Sequence, residues 1–218
     1  MAPGNEDPIN RKYRAFIEST YSTIPKDADE RVLDNLTSWA ELAMDKRRPL
    51  KIGLEELARL IFRNFDFREV GIGLKSKKTE TFRYEVLFGY RREIVDSFLK
   101  LEYTMEDMVS QDRFPFIKIG RLSELNPVEG LPAEERNLFN RPYQLEAPRE
   151  SQDDFLEGDY IDVWMYGPDK ELIGWLELAG PTNGKLPSKR TIRWMELIAT
   201  LCSSIIVQKW ADSGPQLR

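Results

Sequence analysis

The first third of the chain carries apolar residues at spacings of three and four, which is the pattern of helices with one buried face. We predict helices over residues 8–21, 29–46 and 54–64, the first ending before Pro25 and the second capped by Asp29. The most regular stripe belongs to the second helix and consists of Val32, Leu33, Leu36, Trp39, Ala40 and Ala43. All three stripes are best explained as faces that pack against a core.

From Phe67 onward the pattern changes to a period of two, which indicates strands. Strands over 68–76 and 81–92, joined by the short link SKKTE, are predicted to form a hairpin. Gly71 and Gly73 share one face of the first strand, although glycine weakens a strand interior. We therefore expect a bulge at this point, or the close approach of a helix or a ligand.

A second hairpin is predicted over 160–167 and 172–180. In its first strand, one face carries Ile161, Val163 and Met165, and the other carries Tyr160, Asp162, Trp164 and Tyr166. In its second strand, the two faces carry Leu172, Leu176 and Leu178, and Ile173, Trp175 and Glu177. Each strand thus has an aliphatic face and an aromatic and acidic face. This asymmetry is typical of a sheet with helices on one side and a partly polar cavity or solvent on the other.

The segment between the two hairpins is irregular, with only a helix over 93–103 and a brief strand over 114–120 predicted within it. Connections of this length in a compact domain are usually functional or mobile. Arg141, Tyr143 and Arg149 have the chemistry to clamp an anionic group. The alternative is that these arginines pair on the surface with nearby acids, namely Glu134, Glu135, Asp153 and Asp154.

The last predicted helix follows Pro187, with Ser188 as its cap, and continues to Trp210. Its apolar residues are Ile192, Trp194, Met195, Leu197, Ile198, Leu201, Cys202, Ile205 and Ile206. They cover more than one face, so we expect that one sheet cannot bury them all. The preferred second partner is the same helix of another subunit, giving a homodimer through the terminal helices. The alternative is packing against the N-terminal helices of the same chain.

Composition places the chain among soluble globular proteins, with 218 residues of which 41% are hydrophobic and 32% charged. No apolar run is long enough to span a bilayer, and the start MAPGNEDPIN lacks the basic and apolar regions of a signal peptide. We therefore expect a cytoplasmic protein with no membrane partner. The net charge of -5 gives no electrostatic support for nucleic-acid binding.

The chain contains no histidine and one cysteine, Cys202. This excludes a disulfide within the chain, a zinc site of Cys and His ligands, and a Ser-His-Asp or Cys-His nucleophile. We expect a protein that is not an enzyme and holds no metal, and the sequence identifies no cofactor. A weaker alternative is carboxylate or metal-assisted catalysis by the acids Asp153, Asp154, Glu157, Asp159 and Asp162, although their spacing matches no recognised calcium loop.

The segment ELIGWLELAGPTNGKLPSKRTIRWMELIATLCSSII, together with the order of elements before it, resembles a GAF domain. Gly174 and Leu176 match the G-x-L strand of that family, and Glu196 and Leu197 match its last helix. The family turn is matched by Asn183, Gly184, Lys185 and Pro187.

The resemblance implies an α+β fold, an α/β sandwich. It has an antiparallel sheet of about five to six strands, with N- and C-terminal helices on one face and a helix and loop insert on the other. It also implies a helical extension over 1–28, a GAF-like domain over 29–211 and a disordered tail over 212–218.

Within the family, the sequence argues against the catalytic and best-known ligand classes. Cyclic-nucleotide-binding members have an Asn-Lys pair after the last strand, where this chain has Gly180 and Pro181. Bilin-binding members use Cys and His, and the methionine sulfoxide reductases use several cysteines, which this chain lacks.

The leading hypothesis is a sensory or regulatory module with a small-molecule ligand of unknown identity and, in some contexts, a partner protein. Its predicted ligand-binding residues are Asp162, Trp164, Trp175, Glu177, Tyr90, Arg92 and Arg141. The alternative is a non-catalytic structural or interaction module with a vestigial pocket, in which Trp164 and Trp175 simply pair across the sheet.

Overall fold

A computed structural model describes residues 8–21, 27–131, 145 and 147–212 of the chain. The chain divides into two compact units, Met1–Ser38 and Trp39–Arg218. The domain boundaries predicted from the sequence, after residues 28 and 211, stay predictions. Of the predicted tail, only Asp212 is among the described residues, where it ends the last helix.

The three predicted N-terminal helices are present as α1 (Pro8–Thr20), α2 (Ala28–Met44) and α3 (Leu50–Asn64). The predicted cap of α2 was wrong, because the backbone N–H of Glu30 donates to Asp27 Oδ1 at 2.9 Å. Asp29 is instead a residue of the first turn. An acidic side chain there favours the positive end of the helix dipole.

Two short helices, α4 (Arg92–Phe98) and α5 (Met105–Val109), lie in the insert, and α6 (Lys189–Asp212) closes the chain. The sequence predicted α4 and α6 but not α5. Ser188 caps α6 as expected, since its Oγ accepts from the backbone N–H of Thr191 at 3.1 Å. None of the helices in the described ranges has the length and apolarity needed to cross a membrane.

Within the described residues the sheet has six strands, which agrees with the predicted number, and its neighbouring strands there are all antiparallel. In chain order they are β1 (Phe67–Lys75), β2 (Phe82–Phe88), β3 (Ile117–Lys118), β4 (Ser123–Asn126), β5 (Tyr160–Tyr166) and β6 (Leu172–Pro181). Their order across the sheet is β2-β1-β6-β5-β4-β3. This architecture confirms the predicted α+β class, although β4 was not predicted and β3 is only two residues long.

The aliphatic face of the central strands packs against helices. Helix α3 contacts β1 and β2, while α6 contacts β5 and β6. The residues of this face include Ile72, Ile161, Val163, Leu176 and Leu178, each with 0% of its surface exposed. Burying such side chains is the main favourable contribution to folding.

The glycines of β1 make room for aromatic side chains on their own face of the sheet, which is the face opposite α3 and α6. A Cβ added at Gly73 would lie 2.0 Å from a ring carbon of Trp175. A Cβ at Gly71 would lie 3.1 Å from the ring of Tyr84. The expected bulge is present, because the pairing of β1 with β2 shifts register between Ile72 and Gly73.

The sequence predicted that one sheet cannot bury all the apolar residues of α6 and that a second partner covers the rest, and the identity of that partner stays a prediction. Seven of its apolar residues are buried, namely Ile192, Met195, Ile198, Ala199, Cys202, Ile205 and Ile206. Only Leu197 and Leu201 remain exposed as large aliphatic side chains, at 45% and 38%.

Candidate functional site

A cavity lies on the face of the sheet opposite α3 and α6, between the central strands and the insert. Strand residues on its wall include Glu69, Tyr84, Asp162, Trp164, Trp175 and Glu177. Insert residues on its wall include Phe98, Tyr103, Met108, Phe114 and Phe116. The cavity volume is about 80 Å³. At roughly 10–15 Å³ for each water in this measure, about five to eight water-sized groups fit.

The structure places five of the seven predicted site residues on the cavity wall: Tyr90, Asp162, Trp164, Trp175 and Glu177. Arg92 is exposed at the first position of α4 and does not line the cavity. Arg141 lies outside the described residues. That any of these residues contacts a ligand remains a prediction.

The register of the strands brings the acids and the indoles together. Asp162 on β5 pairs directly with Glu177 on β6, and Trp164 pairs with Trp175 one pleat further along. The predicted cross-strand pairing of the two tryptophans is therefore present, and both residues also face the cavity. Adjacent side chains on one face of an antiparallel pair lie within contact range.

Glu177 is buried and accepts hydrogen bonds from two tyrosines. The Tyr90 hydroxyl donates to its Oε1 at 2.7 Å, and the Tyr84 hydroxyl donates to its Oε2. Burial raises the pKa of Glu177 above its ordinary value, and the hydrogen bonds oppose this shift only in part. The arrangement fixes the carboxyl group on the cavity wall.

Asp162 is the least satisfied polar group of the site. Its Oδ2 accepts from Asn126 Nδ2 at 3.1 Å, while Oδ1 is buried with no hydrogen-bond partner among the described residues. Burial raises the pKa of Asp162 well above its ordinary value, and the nearby charges of Glu177 and Glu124 raise it further. Native interiors usually pair such atoms, so this oxygen requires an explanation.

Aromatic rings form the rest of the wall. Trp175 is at the centre, with ring centroids 5.0 Å from Tyr84 and 6.3 Å from Tyr103 in edge-to-face contacts. Phe114 of the insert packs on Tyr103 at 6.2 Å. Trp164 is half-buried, and its indole donates a hydrogen bond to Glu124. The insert therefore closes over the sheet with rings, and it also places acids such as Asp107 on the wall.

The possible clamp residue Arg149 is fully engaged by acids of its own chain. It forms two hydrogen bonds with Glu129, at 3.1 and 3.0 Å, and two with Asp159, at 3.1 and 3.0 Å. Asp159 also accepts from the backbone N–H groups of Val128 and Leu156. Arg149 thus ties together the loops at the edge of the cavity by pairing with acids, but its side-chain partners are Glu129 and the buried Asp159 and not the acids named from the sequence. Asp154 contributes only its backbone carbonyl, and Glu134 and Glu135 lie outside the described residues. Tyr143 lies outside the described residues.

The acidic cluster considered for metal-assisted catalysis is divided among separate tasks. Asp153 and Asp154 bind Lys185 at 2.9 and 2.7 Å, and Asp159 binds Arg149. In the described part of the chain, no three His, Cys, Asp or Glu side chains are placed to hold a metal ion. Burial raises the pKa of Cys202 to about 12, so the thiol packs as an apolar group.

The cavity residues that the sequence did not predict include three on the strands, Glu69, Tyr84 and Asn126. A signal existed for two of them. Tyr84 belongs to the same alternation as Tyr90, and Glu69 shares the strand face of Gly71. Asn126 carried no signal because its strand has only four residues and no alternation.

Comparisons with known proteins rest on structure alone. No protein-family model matches the chain, and no curated protein is similar to it in sequence. The GAF domain of an Acinetobacter phosphoenolpyruvate-protein phosphotransferase is 11% identical and covers 85% of this chain and 97% of its own length, with a TM-score of 0.53. The GAF domain of a putative sensor histidine kinase from Pseudomonas syringae pv. tomato is 12% identical, with 90% and 94% covered and a TM-score of 0.51.

The fold is GAF-like. The predicted resemblance to this family is therefore confirmed at the level of fold. The same fold also occurs in a free methionine-R-sulfoxide reductase from Neisseria meningitidis, which is 10% identical and covers 86% of this chain and 95% of its own length, with a TM-score of 0.51. The GAF-like fold by itself thus does not decide between a sensor and an enzyme.

Proposed function

We propose that this chain is a non-enzymatic sensory or regulatory module that binds a small molecule between the acidic and aromatic sheet face and the insert. The observation that carries the proposal is the buried Oδ1 atom of Asp162, which lacks a hydrogen-bond partner among the described residues. A ligand in the cavity would supply that partner. The GAF domain of a sensor histidine kinase, with the same fold, supports a sensory role.

The absence of a catalytic role is part of the proposal. The chain has no histidine, and Cys202 is buried in the core with a raised pKa. A nucleophile of the cysteine type needs an accessible thiolate, which this environment disfavours. The proposed setting is the cytoplasm, and the output passes through a partner protein or through a second copy of the chain.

A thermal-shift screen of metabolites tests the binding function. The wild-type protein is compared with Trp164→Ala, which removes a half-buried indole from the cavity wall. The matched control is Trp210→Ala on α6. It removes a half-buried indole whose ring faces the ammonium group of Lys77. We expect a stabilising metabolite whose effect is lost in Trp164→Ala and kept in Trp210→Ala. Equal responses of the two variants would contradict binding in this cavity.

A second candidate function is a structural or interaction module with a vestigial pocket. It is favoured by the packing of Tyr103 against Trp175 and of Phe114 against Tyr103, which already fills part of the space. In that case no metabolite stabilises the protein, and Trp164→Ala changes only its intrinsic stability. The same screen therefore distinguishes the two functions.

We also propose that the module acts as a homodimer through its terminal helices. Leu197 and Leu201 of α6 remain exposed one turn apart, and Tyr13 and Phe16 of α1 are exposed at 64% and 61%. Light scattering at micromolar concentration should report a dimer, and Leu201→Glu should convert it to a monomer. A wild-type protein that is monomeric under these conditions would contradict this part of the proposal.

A further inference from the structure

We propose that the ligand is a small organic cation with N–H donors, held between the carboxyl groups of Asp162 and Glu177 and the rings of Trp164 and Trp175. This inference rests on the proposed binding function and names the chemical class of its ligand. It is carried by the charge, the hydrogen bonding, the aromatic surface and the size of the cavity.

The carboxyl groups of Asp162 and Glu177 form no salt bridge with a basic side chain among the described residues. Two other acids of the wall, Asp107 and Asp159, are paired with Arg113 and Arg149. Asp162 and Glu177 are direct neighbours across β5 and β6, and the hydrogen bonds given above come from an amide and two phenols. Among the cavity-lining residues that the structure describes, none is lysine or arginine. Two buried carboxylates this close are stable only if a proton or an external cation reduces their charge.

The unpaired oxygen of Asp162 specifies the kind of cation. A carboxylate oxygen accepts hydrogen bonds, and an ammonium or guanidinium group donates them with added charge attraction. A quaternary ammonium ion has no N–H and would leave Asp162 Oδ1 unpaired. We therefore expect N–H-bearing cations to bind more tightly than quaternary ones of the same body.

The rings add a second feature that favours cations. Trp164, Trp175, Tyr84 and Tyr90 all lie on the wall beside the two acids. Faces of electron-rich rings attract cations, with tryptophan the strongest of the side chains. The same rings bury the apolar part of an amine, so charge and apolar surface are recognised together.

The size of the cavity limits the ligand to a compact molecule. A volume of about 80 Å³ corresponds to about five to eight water-sized groups. A small alkyl or aryl amine suits this space. Benzylamine and butylamine are suitable probes because each joins one ammonium group to a compact apolar body.

Isothermal titration calorimetry with matched probes tests the inference. Benzylamine, benzyl alcohol and benzoate carry different polar groups on the same phenyl ring, and butylamine, butanol and butyrate repeat the comparison with a slimmer body. Benzyltrimethylammonium keeps the positive charge, removes every N–H and adds three methyl groups. We expect the amines to bind at least about 10-fold more tightly than the alcohols, with the quaternary ion weaker than benzylamine and the acids weakest.

Two matched variants locate the charge effect. Asp162→Asn keeps the shape and removes the carboxylate, and should lower the affinity for the amine by about 10- to 100-fold while changing that for the alcohol by less than about twofold. Asp96→Asn removes the same charge from an exposed position on α4 and should leave the amine affinity unchanged. Equal losses in both variants would assign the attraction to net charge and overturn the site.

The outcomes separate this inference from the proposed function. Tighter binding of benzoate or of benzyl alcohol would overturn the cation inference while leaving a ligand-binding cavity in place. Failure of both amines to bind at millimolar concentration would also overturn it, and the metabolite screen would still decide whether the cavity binds another class. A screen without any cavity-dependent ligand would remove the proposed function itself.

Discussion

The two faces of the central sheet are made by the same strands but are governed by opposite physical demands. On β5 and β6 the aliphatic face is fully buried against α6, while the other face directs Asp162, Trp164, Trp175 and Glu177 to a cavity. The first face consists of groups that gain by leaving water. The second includes a buried acid with an unpaired oxygen, which costs stability unless something else is bound.

This difference shows how stability and binding are divided within one element. Because side chains alternate along a strand, a shift of one residue would exchange the two sets. The aliphatic face therefore fixes the register, and in doing so it holds the polar groups in place. Functional sites often carry unfavourable local features that the rest of the fold compensates for.

The largest effect is expected on the aliphatic face. Leu176→Ala removes a fully buried side chain between β6 and the helices, and should lower the free energy of unfolding by about 2–5 kcal/mol. Urea unfolding followed by circular dichroism measures this loss. The control Leu99→Ala changes an exposed leucine that directly follows α4 and should stay within about 0.5 kcal/mol. Similar losses at both positions would contradict the assignment of the core.

The second-largest effect on the free energy of unfolding is expected at the contact between β1 and Trp175 on the cavity wall. Gly73→Ala would place a Cβ 2.0 Å from Trp175, and should cost about 1–3 kcal/mol in the free energy of unfolding. Gly71→Ala, where the nearest atom is 3.1 Å away, should cost less. In a double-mutant cycle, the loss of unfolding free energy caused by Gly73→Ala should be smaller in a Trp175→Leu background than in the wild-type protein. An unchanged penalty would mean that the indole is not what requires glycine.

The third effect is a gain in stability that depends on pH and is produced by replacing Asp162 on the polar face. Asp162 has a raised pKa in the folded protein, so it keeps its proton longer there than in the unfolded chain. Its contribution to stability is therefore present below its ordinary pKa of 3.8 and is lost as pH rises through the raised pKa. Asp162→Asn removes this loss, and should be more stable than wild type by about 1–3 kcal/mol at high pH but not near pH 4.

Urea unfolding of both proteins across this pH range measures the difference. The groups facing Asp162 are Glu177 on β6 and Glu124 and Asn126 on β4, and they are the same in both proteins. A stability gap that does not grow with pH would show that Asp162 is not the titrating group. Added benzylamine should narrow the gap, because it stabilises only the protein that retains the carboxylate.

The smallest effect is expected outside the cavity. Arg92→Ala changes an exposed residue that does not line the wall, and should alter both the free energy of unfolding and the amine affinity very little, within about 0.5 kcal/mol. Calorimetry and urea unfolding measure the two quantities. A larger loss of affinity would mean that α4 moves over the cavity when a ligand binds, and would support the sequence-based assignment of Arg92.

The alternation of residues within each strand made the central part of the candidate site predictable. Asp162, Trp164, Trp175 and Glu177 fall on one face wherever two such strands are paired, and the structure pairs them. The loops were less predictable. Arg149 has the same chemistry whether it binds a ligand or Glu129 and Asp159, and only the folded positions of those acids decide between the two.

By itself, the sequence determined the class of fold, the two hairpins and the separation of aliphatic from polar faces, because these follow from local periodicity and burial. Only the tertiary structure decided that Trp175 requires Gly73, that Arg149 is bound by its own chain, and that Asp162 has a buried oxygen without a partner in the described residues. Those facts depend on residues distant in sequence meeting in space, and on which polar atoms find partners when they do.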